Sequence, residues 1–191
     1  MAILLLQGAL ILWLLYCLIR VATAPRNAIQ VGANVPVRCP ADFAFQTYMG
    51  VRNFYRELSP GHMRYEMNTP TLTPETVISI GEAAGFQTVE HKYRVTDLVP
   101  GQRMRLLSEA SQVKVLGLFR GQSRSEVEFS FREAGPTETD LGLTICIVFP
   151  NLLRHLLARL FFTEAIWQRH AKEEMTALAS LIERRYVERA A

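Results

Sequence analysis

Residues 163–186 read TEAIWQRHAKEEMTALASLIERRY. Stepped at 100° per residue, the stretch is a helix with an apolar stripe of Trp167, Ala171, Leu178, Leu181 and Ile182. His170 and Glu174 fall on the same stripe, one turn apart. A bare carboxylate cannot be buried cheaply, so Glu174 must be neutralised, paired or metal-bound if it faces a core. The economical reading is that this helix borders a cavity and that His170 and Glu174 face into it.

Upstream, the strands this helix would cover can be read off their alternation. Val77–Ala83 places Ile78, Ile80 and Glu82 on one face, and Thr88–Thr96 places Val89, His91, Tyr93 and Val95 on one face against Glu90, Lys92 and Arg94. Ser125–Phe131 alternates Val127, Phe129 and Phe131 against Glu126, Glu128 and Ser130. Further strands are expected over 28–38, 62–67, 103–108, 113–119 and 139–149, with turns at Ser59-Pro60-Gly61, Pro100-Gly101 and Gly135-Pro136. Pro40-Ala41-Asp42 opens a short helix over 43–48, followed by another over 51–58. The order is strand, two short helices, a run of antiparallel strands, then the long helix. This argues an α+β fold in which one curved sheet wraps the C-terminal helix.

The first residues are of another kind. Ala2–Ile19 contains no charge and is just long enough to cross a hydrocarbon core of roughly 30 Å. Trp13 and Tyr16 lie towards its C-terminal end, where an aromatic belt would sit. Ala22-Thr23-Ala24 has the small residues of a signal-peptidase site, but no basic n-region precedes the apolar run and Pro25 follows at once. The expected organisation is a single transmembrane anchor over 1–24 and a ligand-binding domain over 25–191. Arg20 and Arg26 follow the apolar run, which puts the domain in the cytoplasm by the positive-inside rule.

The net charge is +3 and the basic residues, mostly Arg, are scattered without interleaved aromatics, which argues against nucleic acid as a partner. Three cysteines, Cys17, Cys39 and Cys146, show neither metal nor redox spacing. No Ser-His-Asp order, nucleotide loop or paired Cys nucleophile stands out, so any catalysis would run through carboxylates and histidines.

This succession of elements resembles the START-like, helix-grip superfamily, which includes lipid-transfer domains, the birch pollen allergen fold and polyketide cyclases. The resemblance covers Ile29–Glu188 and rests on Val37–Phe45, the strand and turn Val89–Pro100, and His170-Ala-Lys-Glu-Glu174 running into Leu178–Glu183. It implies an apolar cavity between sheet and helix for a hydrophobic small molecule. Leu58-Ser-Pro-Gly-His62, Glu82, and His170 with Glu174 are further similar to the His, Glu, His-x-x-x-Glu set of the zinc-dependent phloretin and diacetylphloroglucinol hydrolases. That similarity implies one zinc held by His62, Glu82, His170 and Glu174, and water activated to cleave a carbon–carbon bond.

Taken physically, a helical His and Glu four apart can ligate one ion, and two imidazoles with two carboxylates suit zinc. Glu173, at the stripe edge, and His91 are second-rank ligands. The plainer alternative is a hydrogen-bonded His170–Glu174 pair with Glu82 matched to an arginine. Ile78, Ile80, His91, Tyr93, Trp167 and Leu178 are the expected ligand-lining set. In an enzyme, Glu82 and Glu174 would be the catalytic carboxylates. Asn151–Phe162 (NLLRHLLARLFF) predicts an amphipathic helix packed on the sheet through its leucines, with Arg154, His155 and Arg159 on a solvated or interfacial face; a lid touching the membrane surface is the alternative. Three functions stay open: membrane-anchored binding of a lipid or polyketide-like molecule, a metal-dependent hydrolase or lyase on an aromatic or polyketide-like substrate, and a tethered interaction module with a filled core.

Overall fold

The structure is a computed structural model and describes residues 1–190. An apolar helix α1 (Ala2–Thr23) leads through a short 3₁₀ turn into strand β1 (Ala28–Val37). Helices α2 (Ala41–Met49) and α3 (Tyr55–Leu58) follow. Six strands come next: β2 (His62–Met67), β3 (Val77–Ala84), β4 (Gln87–Val99), β5 (Arg103–Val115), β6 (Phe119–Gly135) and β7 (Glu138–Val148). Helices α4 (Leu152–Leu160) and α5 (Thr163–Ala190) end the chain. The strands form one antiparallel sheet in the order β1-β7-β6-β5-β4-β3-β2. The sheet curves round α5, so the fold is α+β and helix-grip.

The alternation in β4 is realised as read: Val89, His91, Tyr93 and Val95 are buried, while Glu90, Lys92 and Arg94 are exposed. The two strands expected over 103–108 and 113–119 are instead one strand, β5, with an irregularity between Ser108 and Ser111. Glu109-Ala110 break the period-2 pattern there, which reads as a strand end in sequence but is a bulge in the ladder. The turn lies further on, at Leu116-Gly117-Leu118, and β6 starts at Phe119.

The helix α5 buries Trp167, Ala171, Met175, Leu178, Leu181 and Ile182 against the sheet. The Gln168 side-chain amide donates to the Gly32 carbonyl at 2.6 Å and accepts from the Gly32 N–H at 3.3 Å, which pins the helix to β1. The core is not uniform along α5. Its C-terminal half packs into a continuous cluster with Phe45, Tyr48, Phe54, Ile78, Met104 and Phe131. Around its N-terminal half only a smaller cluster forms, including Ile29, Val31, Val89, Phe149 and Trp167. The space left there is a cavity.

Helix α1 is long and apolar enough to cross a membrane by length and composition. Most of it projects into solvent, but its last turns rest on the domain: Cys17 and Val21 are buried, Trp13 stacks on Phe162 at 4.7 Å, and Arg20 pairs with Glu164 at 2.6 Å.

Candidate functional site

Strand register brings the first two residues together: His62 of β2 lies opposite Glu82 of β3. The Ser59-Pro60-Gly61 turn sets this up, with Ser59 accepting from the His62 and Gly61 amides. An ideal Cβ on Gly61 would lie 1.9 Å from the Ala83 carbonyl oxygen, so only glycine lets β2 approach β3 here. Helix α5 then delivers His170 and Glu174 from above. Ligand atoms of His62, Glu82 and His170 all lie within 4.8 Å of one another. Glu174 stands beside them, its Oε2 3.9 Å from His62 Nε2.

The His62 ring is held on two sides. It stacks on Tyr55 at 4.0 Å, nearly parallel, and its Nδ1 donates to the Tyr55 carbonyl at 2.7 Å. A carbonyl can only accept, so in the neutral ring Nδ1 carries the proton and Nε2 carries a lone pair. That lone pair faces Glu82 Oε1 at 4.0 Å and Glu174 Oε2 at 3.9 Å. These distances are too long for hydrogen bonds, and Nε2 of both His62 and His170 is buried without a partner among the described residues. Lone pairs converging across a gap of this size need a cation or protons between them. The donor set of His62, Glu82 and His170, with a backbone carbonyl fixing the His62 tautomer from behind, could hold a metal ion.

Burial pushes Glu174 up to about 8, helped by the neighbouring charge of Glu82. Burial also acts to raise Glu82, but the surrounding imidazoles of His91, His62 and His170 and the hydroxyl of Tyr55, which donates to it, hold its carboxyl below the usual range. Near neutral pH the proton of this carboxylate pair therefore belongs to Glu174. Desolvation lowers His62, against the pull of Glu82, and lowers His91 to about 4. Without a metal the cluster is one carboxylate, one carboxylic acid and uncharged His62 and His91.

Beside this cluster lies the cavity, with a volume of about 490 Å³. Glu82 sits in its wall and so connects the two. Of the expected lining set, His91, Tyr93 and Trp167 face the cavity. Ile78, Ile80 and Leu178 instead belong to the packed core beyond it. Val89, Val113, Ile145, Ile147 and Phe149 are among the apolar residues of its wall.

A polar patch in this wall escaped the sequence reading. Ser111 bonds His91 Nδ1 at 2.8 Å and both Ser108 and Ser125 at 3.1 Å. Ser123, whose hydroxyl has no partner among the described residues, lines the same wall. The signal was present: Ser123 and Ser125 continue the inward register of Val127, Phe129 and Phe131. Tyr55, which holds both His62 and Glu82, was also missed, because nothing in its local pattern marks it. Gln87 is a third such residue, bonding the Trp167 indole at 2.9 Å and the Thr163 hydroxyl at 3.0 Å.

Helix α4 departs from its expected orientation. His155 and Arg159 are buried, whereas Leu152, Leu153 and Leu157 are exposed. The Arg159 Nε donates to His155 Nε2 at 2.9 Å, and its Nη1 pairs with Glu164. Glu164, which also holds Arg20, neutralises the buried Arg159 guanidinium, so His155 and Arg159 can lie inside at this junction while Arg154 stays exposed.

No family model matches the chain, and no curated protein matches it significantly in sequence. Solved structures do match in fold. The Zhui aromatase/cyclase from Streptomyces sp. R1128 superposes with a TM-score of 0.60 at 18% identity, covering 83% of this chain and 96% of that one. A START superfamily protein from Mycobacterium smegmatis gives 0.54 at 12%, covering 81% and 97%. A truncated norcoclaurine synthase from Thalictrum flavum gives 0.54 at 14%, covering 81% and 93%. At these identities the likeness establishes the START-like fold.

Proposed function

We propose that this chain is a membrane-anchored binding protein for a hydrophobic small molecule, with residues 1–24 as the anchor and 25–191 as the binding domain. The observation that carries this is the cavity: about 490 Å³, largely apolar, within the range of small-molecule sites. Its wall carries a polar patch of Ser123, Ser125 and His91, suited to a hydroxyl or carbonyl on an otherwise apolar ligand such as a lipid or a polyketide-like compound. The apolar length of α1, and Arg20 and Arg26 behind it, support a single span with the domain in the cytoplasm. The test is mass spectrometry of the full chain purified from membranes in mild detergent. A recurrent apolar compound lost on Ser123→Phe, which would fill the cavity, is the expected result; repeated recovery of an empty protein would count against it.

The unpartnered Nε2 atoms of His62 and His170 favour a second reading, a metal-dependent hydrolase or lyase on an aromatic or polyketide-like substrate. His62, Glu82 and His170, with Glu174 adjacent, would hold the ion, and a zinc ion there would supply Lewis acidity. The chain's own contribution is positioning: Tyr55 fixes the His62 tautomer and orients Glu82, which reaches the cavity wall where a substrate carbonyl would lie. Glu174, whose carboxyl burial holds well above its usual range in the metal-free protein, stands 3.9 Å from His62 Nε2 beside this set. Elemental analysis should find stoichiometric metal in the full chain and its loss in His62→Ala. Equal metal content in both proteins would sink this reading.

A further inference from the structure

The mouth of the cavity is built from side chains that do not belong in water. On α4, Leu152 and Leu153 are 61% and 65% exposed, while His155 and Arg159 of the same helix are buried. At the β5–β6 tip, Leu118 is 79% exposed and Phe119 56%. Beside them, Phe162 is half exposed. Phe119, Leu157 and Phe161 from these elements also line the cavity, so this apolar surface is its rim. Two of the rim side chains sit on left-handed backbone, Leu116 at φ 54° and Phe162 at φ 55°, where a bulky residue is strained. A water-exposed turn would take Gly or Asn there; holding leucine and phenylalanine at such positions points to a use for them outside water.

Helix α1 says what that medium is. Arg20 marks the level at which the apolar run ends. Trp13 lies seven residues earlier, roughly 10 Å further along the helix axis at 1.5 Å per residue. Yet Trp13 stacks on Phe162, and Arg20 holds Glu164 at 2.6 Å. These two contacts fix α1 alongside the domain instead of letting it swing at Ala24-Pro25. With α1 in a bilayer, Phe162 and the neighbouring face of α4 are carried about 5–10 Å below the level of Arg20, the depth of an interfacial amphipathic helix. Arg120 and Arg154 flank the mouth, both exposed and without a carboxylate partner among the described residues, and suit anionic headgroups.

We propose that the cavity rim is a membrane-contact face: α4, the Leu116–Phe119 tip and Phe162 sit in the interfacial layer of the bilayer that holds α1, so the cavity opens into lipid and takes its ligand from there. This rests on the reading of α1 as an anchor and of the cavity as the binding site. A second copy of the chain is the competing occupant.

The full chain, with Cys146→Ser, is reconstituted in phosphatidylcholine–phosphatidylglycerol vesicles and carries a nitrobenzoxadiazole label at Leu118→Cys, Leu153→Cys or, as control, Gln102→Cys in the distal β4–β5 turn. Labels at 118 and 153 are expected to shift to the blue and to be quenched by acyl-chain spin labels, and the label at 102 to do neither. Labels at 118 and 153 as aqueous as that at 102 overturn the proposal, as does a blue shift that follows protein density and not spin-labelled lipid. Ligand uptake is read separately, by energy transfer from Trp167 to dansylundecanoic acid in Trp13→Phe protein. Uptake with aqueous rim labels removes the membrane face and leaves the binding site standing. Lipid-buried labels without uptake support the face and remove the cavity reading. Leu118→Asp with Leu153→Asp should slow uptake from vesicles and leave affinity in detergent unchanged; equal rates would overturn the loading route.

Discussion

Glu174 carries the clearest consequence at the level of single residues. Its carboxyl is raised in the folded protein to about 8 from 4.5, chiefly by burial and then by Glu82. A raised carboxyl gives stability that is complete below about 4.5 and is lost as pH rises through 8, because unfolding releases its proton. At about 1.4 kcal/mol per pH unit, the ceiling on this loss is about 5 kcal/mol. Metal-free protein should therefore melt progressively lower from pH 5 to pH 9, and Glu174→Gln, neutral throughout, should flatten that limb. On the acid side His91 and His155 act oppositely: both are held near 4 by burial, so their contribution is lost as pH falls from 6.5 towards 4. Differential scanning calorimetry across pH on both proteins checks this, and an unchanged alkaline slope in Glu174→Gln would show that the proton sits elsewhere. A bound metal should reverse the alkaline trend, since its ligands must be deprotonated.

Among the elements, the β2–β3 pairing is the most constrained. Gly61→Ala would drive a methyl into the Ala83 carbonyl and lift β2 off β3, taking His62 away from Glu82. The expected cost is about 1–3 kcal/mol in urea unfolding, with loss of any bound metal. Gly121, with open space around its Cβ position, is the control, and its alanine variant should stay within about 0.5 kcal/mol of the parent. Equal costs at the two positions would show that the close approach at Gly61 is not what seats His62. Helix α4 teaches a different lesson about elements. Its leucine face was plain in the sequence, but which face is buried depends on a guanidinium–carboxylate link, Arg159 to Glu164, and on the arrival of α1, both set by tertiary structure. Periodicity identifies two faces; it does not say which one meets protein.

Over the whole molecule, what was legible is what local pattern encodes. Inward alternation gave most strands, the α5 stripe gave the central helix, and His170 with Glu174 on that stripe led to the cluster. The cavity was harder, because a void leaves no residue behind: Ile78 and Leu178 look inward in sequence just as His91 and Trp167 do, yet only the latter pair borders space. The way α1 rests on the α4–α5 junction was not legible at all, since Trp13–Phe162 and Arg20–Glu164 join residues more than a hundred positions apart. That contact supports a prediction for the molecule as a whole. A chain starting at Asn27 keeps every strand and α5, and should show an unchanged far-ultraviolet dichroism apart from the missing helix. It loses the cover over Phe162 and one of the two arginine partners of Glu164, and the leucines of α4 then join a larger exposed apolar surface. Patches of that kind drive association in water. The truncated protein should sediment as oligomers that a mild detergent disperses, and Leu153→Glu with Phe162→Ser should render it monomeric without detergent. A truncated protein that is already monomeric in buffer would mean that α1 does not shield this face.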